Sequence, residues 1–208
     1  MYKRFCGGIF SLILGFNAWA QGPPALETFT SPDGAFQFVY PETYDLLVGE
    51  RLLRATQGRR QAIPVCEFSM ALACVIYPIE LQQEARLEAA GFSVGTLPGL
   101  TEESSCLAYT DLPTSGDGQR LQVTSIAIRS RVYRHAFTRK KLPGHMQAID
   151  SYRTFNGQKC YELQIRVSLS DEAAVQRVSQ SASLGDVLAQ TAQESLRLIL
   201  SSVVFEPQ

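Results

Sequence analysis

The chain is 208 residues long and 45% apolar, with 19 basic and 20 acidic side chains and a formal net charge of −1. A near-neutral balance leaves no electrostatic footprint for nucleic acid, and this apolar content excludes global disorder. Beyond the first twenty residues no apolar run reaches the ~20 residues that cross a bilayer, so no membrane span is expected after them.

Those first twenty residues read as a secretory signal peptide. Lys3 and Arg4 form a positive start, Phe5 to Phe16 is mostly apolar, and Ala18-Trp19-Ala20 has the small-x-small form of a cleavage site. Cleavage is expected after Ala20. Cys6 opens the apolar run instead of closing it, which argues against lipoprotein processing. The product would keep 188 of the 208 residues as one domain, 21–208, with 21–27 (QGPPALE) a flexible lead-in. Without Lys3 and Arg4 it has 17 basic residues against 20 acidic ones, a net charge of −3.

Pro32-Asp33-Gly34 marks a turn. Phe36, Phe38 and Tyr40 then alternate with smaller or polar residues, as in a strand with one aromatic face that stops at Pro41. Asp45 to Gly49 reads as a returning strand and Ala55 to Ile63 as a loop. The β-branched and aromatic run Ala71 to Ile79 reads as a buried strand. Leu81 to Ala90 (LQQEARLEAA) is rich in helix formers and predicts a helix stopped by Gly91. Pro98 to Gly118 reads as loop. Strands are expected over Leu121 to Ile128, Arg131 to Arg139, Gln147 to Phe155 and Gln158 to Leu169, with a turn at Leu142-Pro143-Gly144. Short connections make these an antiparallel meander. Leu188, Ala192, Leu196, Ile199, Leu200 and Val203 recur at helical spacing, with Asp186 near the start where a carboxylate suits the dipole. The fold class is therefore α+β, an antiparallel sheet with helices packed on it.

Four cysteines follow the leader, and an even count in an oxidising compartment implies bridges. Three pairings are possible, and Cys66–Cys74 with Cys106–Cys160 is favoured. No C-x-x-C is present, and the two histidines lack ligand spacing with a cysteine, so no metal or other cofactor is expected. Asn156-Gly157 predicts a two-residue type I′ hairpin that sets Arg153 opposite Cys160. A free thiol there would be reactive. Cys160 shares its face with Glu162, Gln164 and Arg166, a polar side that would be wet on its side chains alone and that a Cys106–Cys160 bridge would cover with the Cys106 loop.

Gly91-Phe92-Ser93-Val94-Gly95 has the literal G-x-S-x-G form of a hydrolase elbow, and Asp111 or Asp117 with His135 or His145 would complete the order. The required strand–turn–helix context is missing, so Phe92 and Val94 are expected to pack inward around a structural serine. His135 and His145 sit among basic residues and read as surface or hydrogen-bonded histidines.

FQFVYPETY near the start and LRLILSSVVF at the end are similar to the terminal motifs of the PsbP-like fold family. The matching positions are Gly34, Phe36, Tyr40, Pro41 and Tyr44, then Ile199, Ser202 and Phe205. Members include extrinsic photosystem II subunits, Ran-binding relatives and secreted proteins. The resemblance implies an α-β-α sandwich used for binding or assembly. The four cysteines and the segment from Arg51 to Val65 lie outside that pattern.

Gly118 to Ile149 holds seven basic residues and no acidic one. Strand alternation would place Arg129, Arg131, Tyr133, His135 and Phe137 on one face, with Arg139 and Lys140 following. Guanidinium groups beside rings suit anionic partners. The expected function is a secreted or periplasmic, non-catalytic binding or accessory module with a basic-aromatic surface for an unidentified protein or anionic ligand. The alternatives are an extracytoplasmic hydrolase using Ser93 and a thiol-disulfide protein using Cys160.

Overall fold

The structure, a computed structural model, describes residues 24–57, 65–66, 70–78, 87–109, 122–142, 145–170 and 184–206. The signal-peptide assignment, residues 81–86 of the expected helix, and Asp111 and Asp117 lie outside them.

Two antiparallel sheets and three helices make up the described chain. β1 (Leu26–Thr30), β2 (Phe36–Pro41) and β10 (Val204–Phe205) form a small sheet in the order β1-β2-β10. Seven strands form the large one: β3 (Asp45–Val48), β4 (Ala71–Ile76), β5 (Leu87–Thr96), β6 (Val123–Ile128), β7 (Arg131–Leu142), β8 (His145–Phe155) and β9 (Cys160–Ser170). Their order is β3-β4-β5-β9-β8-β7-β6, and every pairing is antiparallel. The helices are α1 (Gly49–Gln57), α2 (Glu103–Leu107) and α3 (Leu184–Ser202).

Alternation along β2 sends Phe36, Phe38 and Tyr40 inward. Phe38 meets Phe92 of β5 edge-on at 5.5 Å, and Phe36 meets Tyr161 of β9 at 5.9 Å. On α3, Ala192, Leu196, Ile199 and Leu200 are buried against the same sheet face. The small sheet and α3 therefore cover one side of the large sheet. On the other side, α1 closes a second core of Leu47, Leu52, Cys74 and Ala89. Two layers of helix enclose the sheet, so the fold is an α-β-α sandwich of the α+β class.

Four expectations are corrected. Ala55 to Gln57 belong to α1 and not to a loop. Leu87 to Ala90 are strand, although Leu, Glu and Ala favour helix by a few tenths of a kcal/mol each. Pairing with β9 overrides that small preference. Gly91 is no helix stop: it sits mid-strand, where a Cβ would lie 3.1 Å from the Val75 carbonyl oxygen and 3.2 Å from Val65 Cγ2. The β8–β9 connection has four residues instead of two. Asn156 Oδ1 accepts the N–H groups of Gln158 and Lys159 at 3.2 and 3.0 Å, and Gly157 takes φ +96°. The register shifts by two, so Phe155 faces Cys160 and Arg153 faces Glu162.

Candidate functional site

Ser93 occupies the middle of β5, between Cys74 on β4 and Gln164 on β9. It is 0% exposed, and among the described residues its hydroxyl has no hydrogen-bond partner. A nucleophile elbow needs a serine lifted out on a strained turn, and Ser93 is instead enclosed in a flat ladder. Phe92 and Val94 pack inward on the α3 side. Neither histidine comes near it in pairing. His135 Nε2 lies 2.7 Å from Asp150 Oδ1, and its ring stacks on Tyr152 with centroids 4.7 Å apart. His145 Nδ1 pairs with Glu88 Oε2 at 2.5 Å.

Asp150 itself joins sheet to helix. Gln193 of α3 donates to Asp150 Oδ2 at 2.8 Å, and Arg197 stands 3.7 Å from the same oxygen. Burial pushes its carboxyl pKa up, but His135, Gln193 and Arg197 together outweigh this and hold it below the usual value. This group clamps α3 onto β7 and β8.

The cysteines are joined as Cys66–Cys74, with Cα atoms 5.8 Å apart, and Cys106–Cys160, with Cα atoms 5.5 Å apart. The second bridge fixes α2 over the sheet face that carries Glu162, Gln164 and Arg166. That polar face is covered, as the bridge implied. Arg153, Glu162, Gln164 and Arg166 are 0, 1, 6 and 7% exposed. Arg153 Nε donates to Glu162 Oε2 at 2.8 Å, Gln164 bridges the other Glu162 oxygen, and Arg166 Nε donates to Gln164 Oε1 at 2.9 Å. Just after α2, Tyr109 lays its ring 4.1 Å from the Arg153 guanidinium carbon, and its hydroxyl reaches the Arg134 and Ser151 carbonyls at 3.0 and 2.9 Å. Sequence alternation located this face, and the expected Cys106–Cys160 bridge put the Cys106 segment across it, where α2 lies.

The basic-aromatic row divides. Tyr133 is core, 1% exposed. Burial drives its phenol pKa up to about 12. Arg131 stacks over Phe205 at 4.8 Å and donates to the Phe155 carbonyl at 3.3 Å, so both it and His135 bind their own fold. Phe137, Arg139 and Lys140 are exposed toward the far end of β7, with Arg139 5.5 Å from the Phe137 ring centroid. Arg129 lies at the opposite end. Ten residues of extended chain separate it from Arg139, roughly 33 Å.

Arg129 opens the two-residue turn between the paired residues Ile128 and Arg131, and its φ is +53°. A left-handed backbone costs a non-glycine residue about 1–2 kcal/mol. Here it helps to line a cleft of about 510 Å³ between β1, β2 and α3. Leu26, Val39, Leu198 and Ile199 supply apolar walls. Tyr44, hydrogen-bonded to Ser195, adds a polar group. The two most exposed large apolar side chains among the described residues, Leu198 at 72% and Leu26 at 66%, both face this cleft. Sequence reading assigned Leu198 to no role and left Leu26 in the lead-in. Single exposed leucines carry no signal until the fold groups them.

No protein-family model matches the sequence, and no curated protein matches it. Solved structures do resemble the chain. One is the cyanobacterial PsbP (CyanoP) of Synechocystis sp. PCC 6803, at 12% identity and TM-score 0.40, covering 90% of this chain and 96% of that one. Another is the Saccharomyces cerevisiae Ran-binding protein Mog1p, at 10% identity and TM-score 0.46, covering 88% and 96%. A third is LpqN, involved in cell envelope biogenesis of Mycobacterium tuberculosis, at 10% identity and TM-score 0.42, covering 90% and 88%. No residue role is carried over from these structures.

Proposed function

We propose that the chain is a secreted or periplasmic binding or accessory module without chemistry of its own, which meets an anionic partner through the far end of β7. Two disulfides suit an oxidising compartment. The groups that looked available for catalysis serve the fold: Ser93 is sealed in a strand, His135 is held by Asp150, and Cys160 is bridged.

One observation carries the binding surface. The Arg139 guanidinium stands over the exposed Phe137 ring, and exposed Lys140 is the next residue along β7. A planar cation on an aromatic base keeps its donors pointing outward, which suits carboxylate or phosphate. The test is capture of a partner from the protein's own envelope or secreted fraction. Arg139→Glu with Lys140→Glu is expected to abolish capture while the melting temperature holds. Unchanged capture removes this surface from the proposal. A serine-reactive fluorophosphonate probe is expected to leave Ser93 unlabelled, and labelling would instead restore a hydrolase.

A further inference from the structure

We propose that the cleft between β1, β2 and α3 binds a single-chain fatty acid, with its carboxylate on Arg129 and its tail along Leu26, Val39, Leu198 and Ile199. The site is some 30 Å of strand away from Arg139 and stands independently of the partner surface above.

Three features of the cleft define the ligand. Its volume of about 510 Å³ falls inside the range of roughly 300–1,000 Å³ typical of small-molecule sites. Its walls are mostly hydrocarbon, and its rim leaves Leu26 and Leu198 more than half exposed. A chain laid between them would remove both from water. Its polar side chains are one guanidinium and the hydroxyls of Thr43, Tyr44, Ser195 and Ser202. Among the described residues no carboxylate is ion-paired with Arg129. An apolar trough with one uncompensated cation complements an apolar chain with one anionic head.

Arg129 also holds its place at a conformational cost. A turn residue with φ +53° is best served by glycine. An arginine there gives up backbone comfort for a cation at the cleft mouth, which is the pattern expected of a binding residue. Hydrogen bonds fix the wall behind it. Ser202 Oγ accepts the Val39 N–H at 2.8 Å, which holds α3 against β2 along the length of the cleft.

The test is calorimetric titration of the purified protein with saturated fatty acids of eight to sixteen carbons, each below its micelle concentration. Affinity is expected to rise by up to about fourfold per added methylene until the cleft is full. The alcohol of equal length is expected to bind at least tenfold more weakly than the acid. Arg129→Gly should erase that acid–alcohol difference and leave alcohol binding and the melting temperature intact, because glycine fits the turn. Leu198→Asp should weaken both ligands. The assignment is overturned by absence of binding across the series, by chain-length independence, or by an Arg129→Gly variant that still prefers the acid. It also fails if an apolar peptide with a free C-terminus, or phosphatidylglycerol vesicles, bind while the monomeric acids do not.

Discussion

Arg153 and Glu162 face each other across β8 and β9 with 2.8 Å between Nε and Oε2, and neither side chain is more than 2% exposed. Removing two charges from water is costly unless every remaining donor and acceptor is used. Here Gln164 holds the second carboxylate oxygen, and Tyr109 covers the guanidinium. Breaking one side should therefore hurt more than replacing both. Glu162→Leu or Arg153→Met alone is expected to cost about 3–5 kcal/mol, because a lone charge stays buried, whereas the double change should recover most of that loss. Urea unfolding of the two single variants and the double variant measures this, and additive losses would mean that the pair is not coupled.

Gly91 and Ser93 make opposite predictions from positions two apart on β5. An alanine Cβ at position 91 would press on the Val75 carbonyl and on Val65, so Gly91→Ala should cost about 1–3 kcal/mol. Ser93→Ala removes a buried hydroxyl that makes no hydrogen bond, so it should be neutral or raise stability by up to about 1 kcal/mol. A thermal shift downward for Ser93→Ala would show that the hydroxyl has a partner.

The resemblance motifs were legible because they are structural. Phe36 and Tyr40 are the buried side of β2, and Ser202 joins α3 to the Val39 backbone. Ser202→Ala should cost about 1 kcal/mol through that lost bond, read as a shifted denaturation midpoint. Strands β2 and β7 and helix α3 followed from alternation and helical spacing, since one face of each meets the core. β5 did not, because both of its faces are buried and no period survives. The candidate sites were less legible still. Alternation put Arg131, Tyr133 and His135 in a row, but could not say that α3 and Phe205 would cover that row, or that Leu26 and Leu198 would meet.

Asp33 ties two turns that are 126 residues apart in the chain. It accepts from Ser31 Oγ at 2.8 Å and from the Ala35 N–H at 3.2 Å, and Lys159 reaches its other oxygen at 3.0 Å. The Ser31 bond first, then Lys159, lower its pKa from 3.8 to about 2. A carboxylate whose pKa is depressed by folding adds stability above its unfolded value, and this is lost as pH falls through the folded one. The wild type should therefore lose stability between about pH 4 and pH 2, and Asp33→Asn should flatten that part of the profile. Melting temperatures across this window decide it, and parallel profiles would assign the acid sensitivity elsewhere.

The two bridges should differ in worth for a reason beyond loop length. Cys66–Cys74 spans 8 residues and Cys106–Cys160 spans 54. Loop-closure entropy alone gives roughly 2.5 and 4 kcal/mol. Cys106 also anchors α2, and with it Tyr109, over the buried Arg153–Glu162 pair. Releasing α2 would let water reach charges whose attraction depends on its exclusion. Cys106→Ser with Cys160→Ser should therefore cost more than about 4 kcal/mol, and the cost should shrink when Arg153→Met and Glu162→Leu are already present. Cys66→Ser with Cys74→Ser should show no such dependence, because that bridge belongs to the α1 core. Denaturant midpoints for the four backgrounds measure the coupling. Equal losses with and without the charged pair would mean that the second bridge acts through the unfolded chain alone.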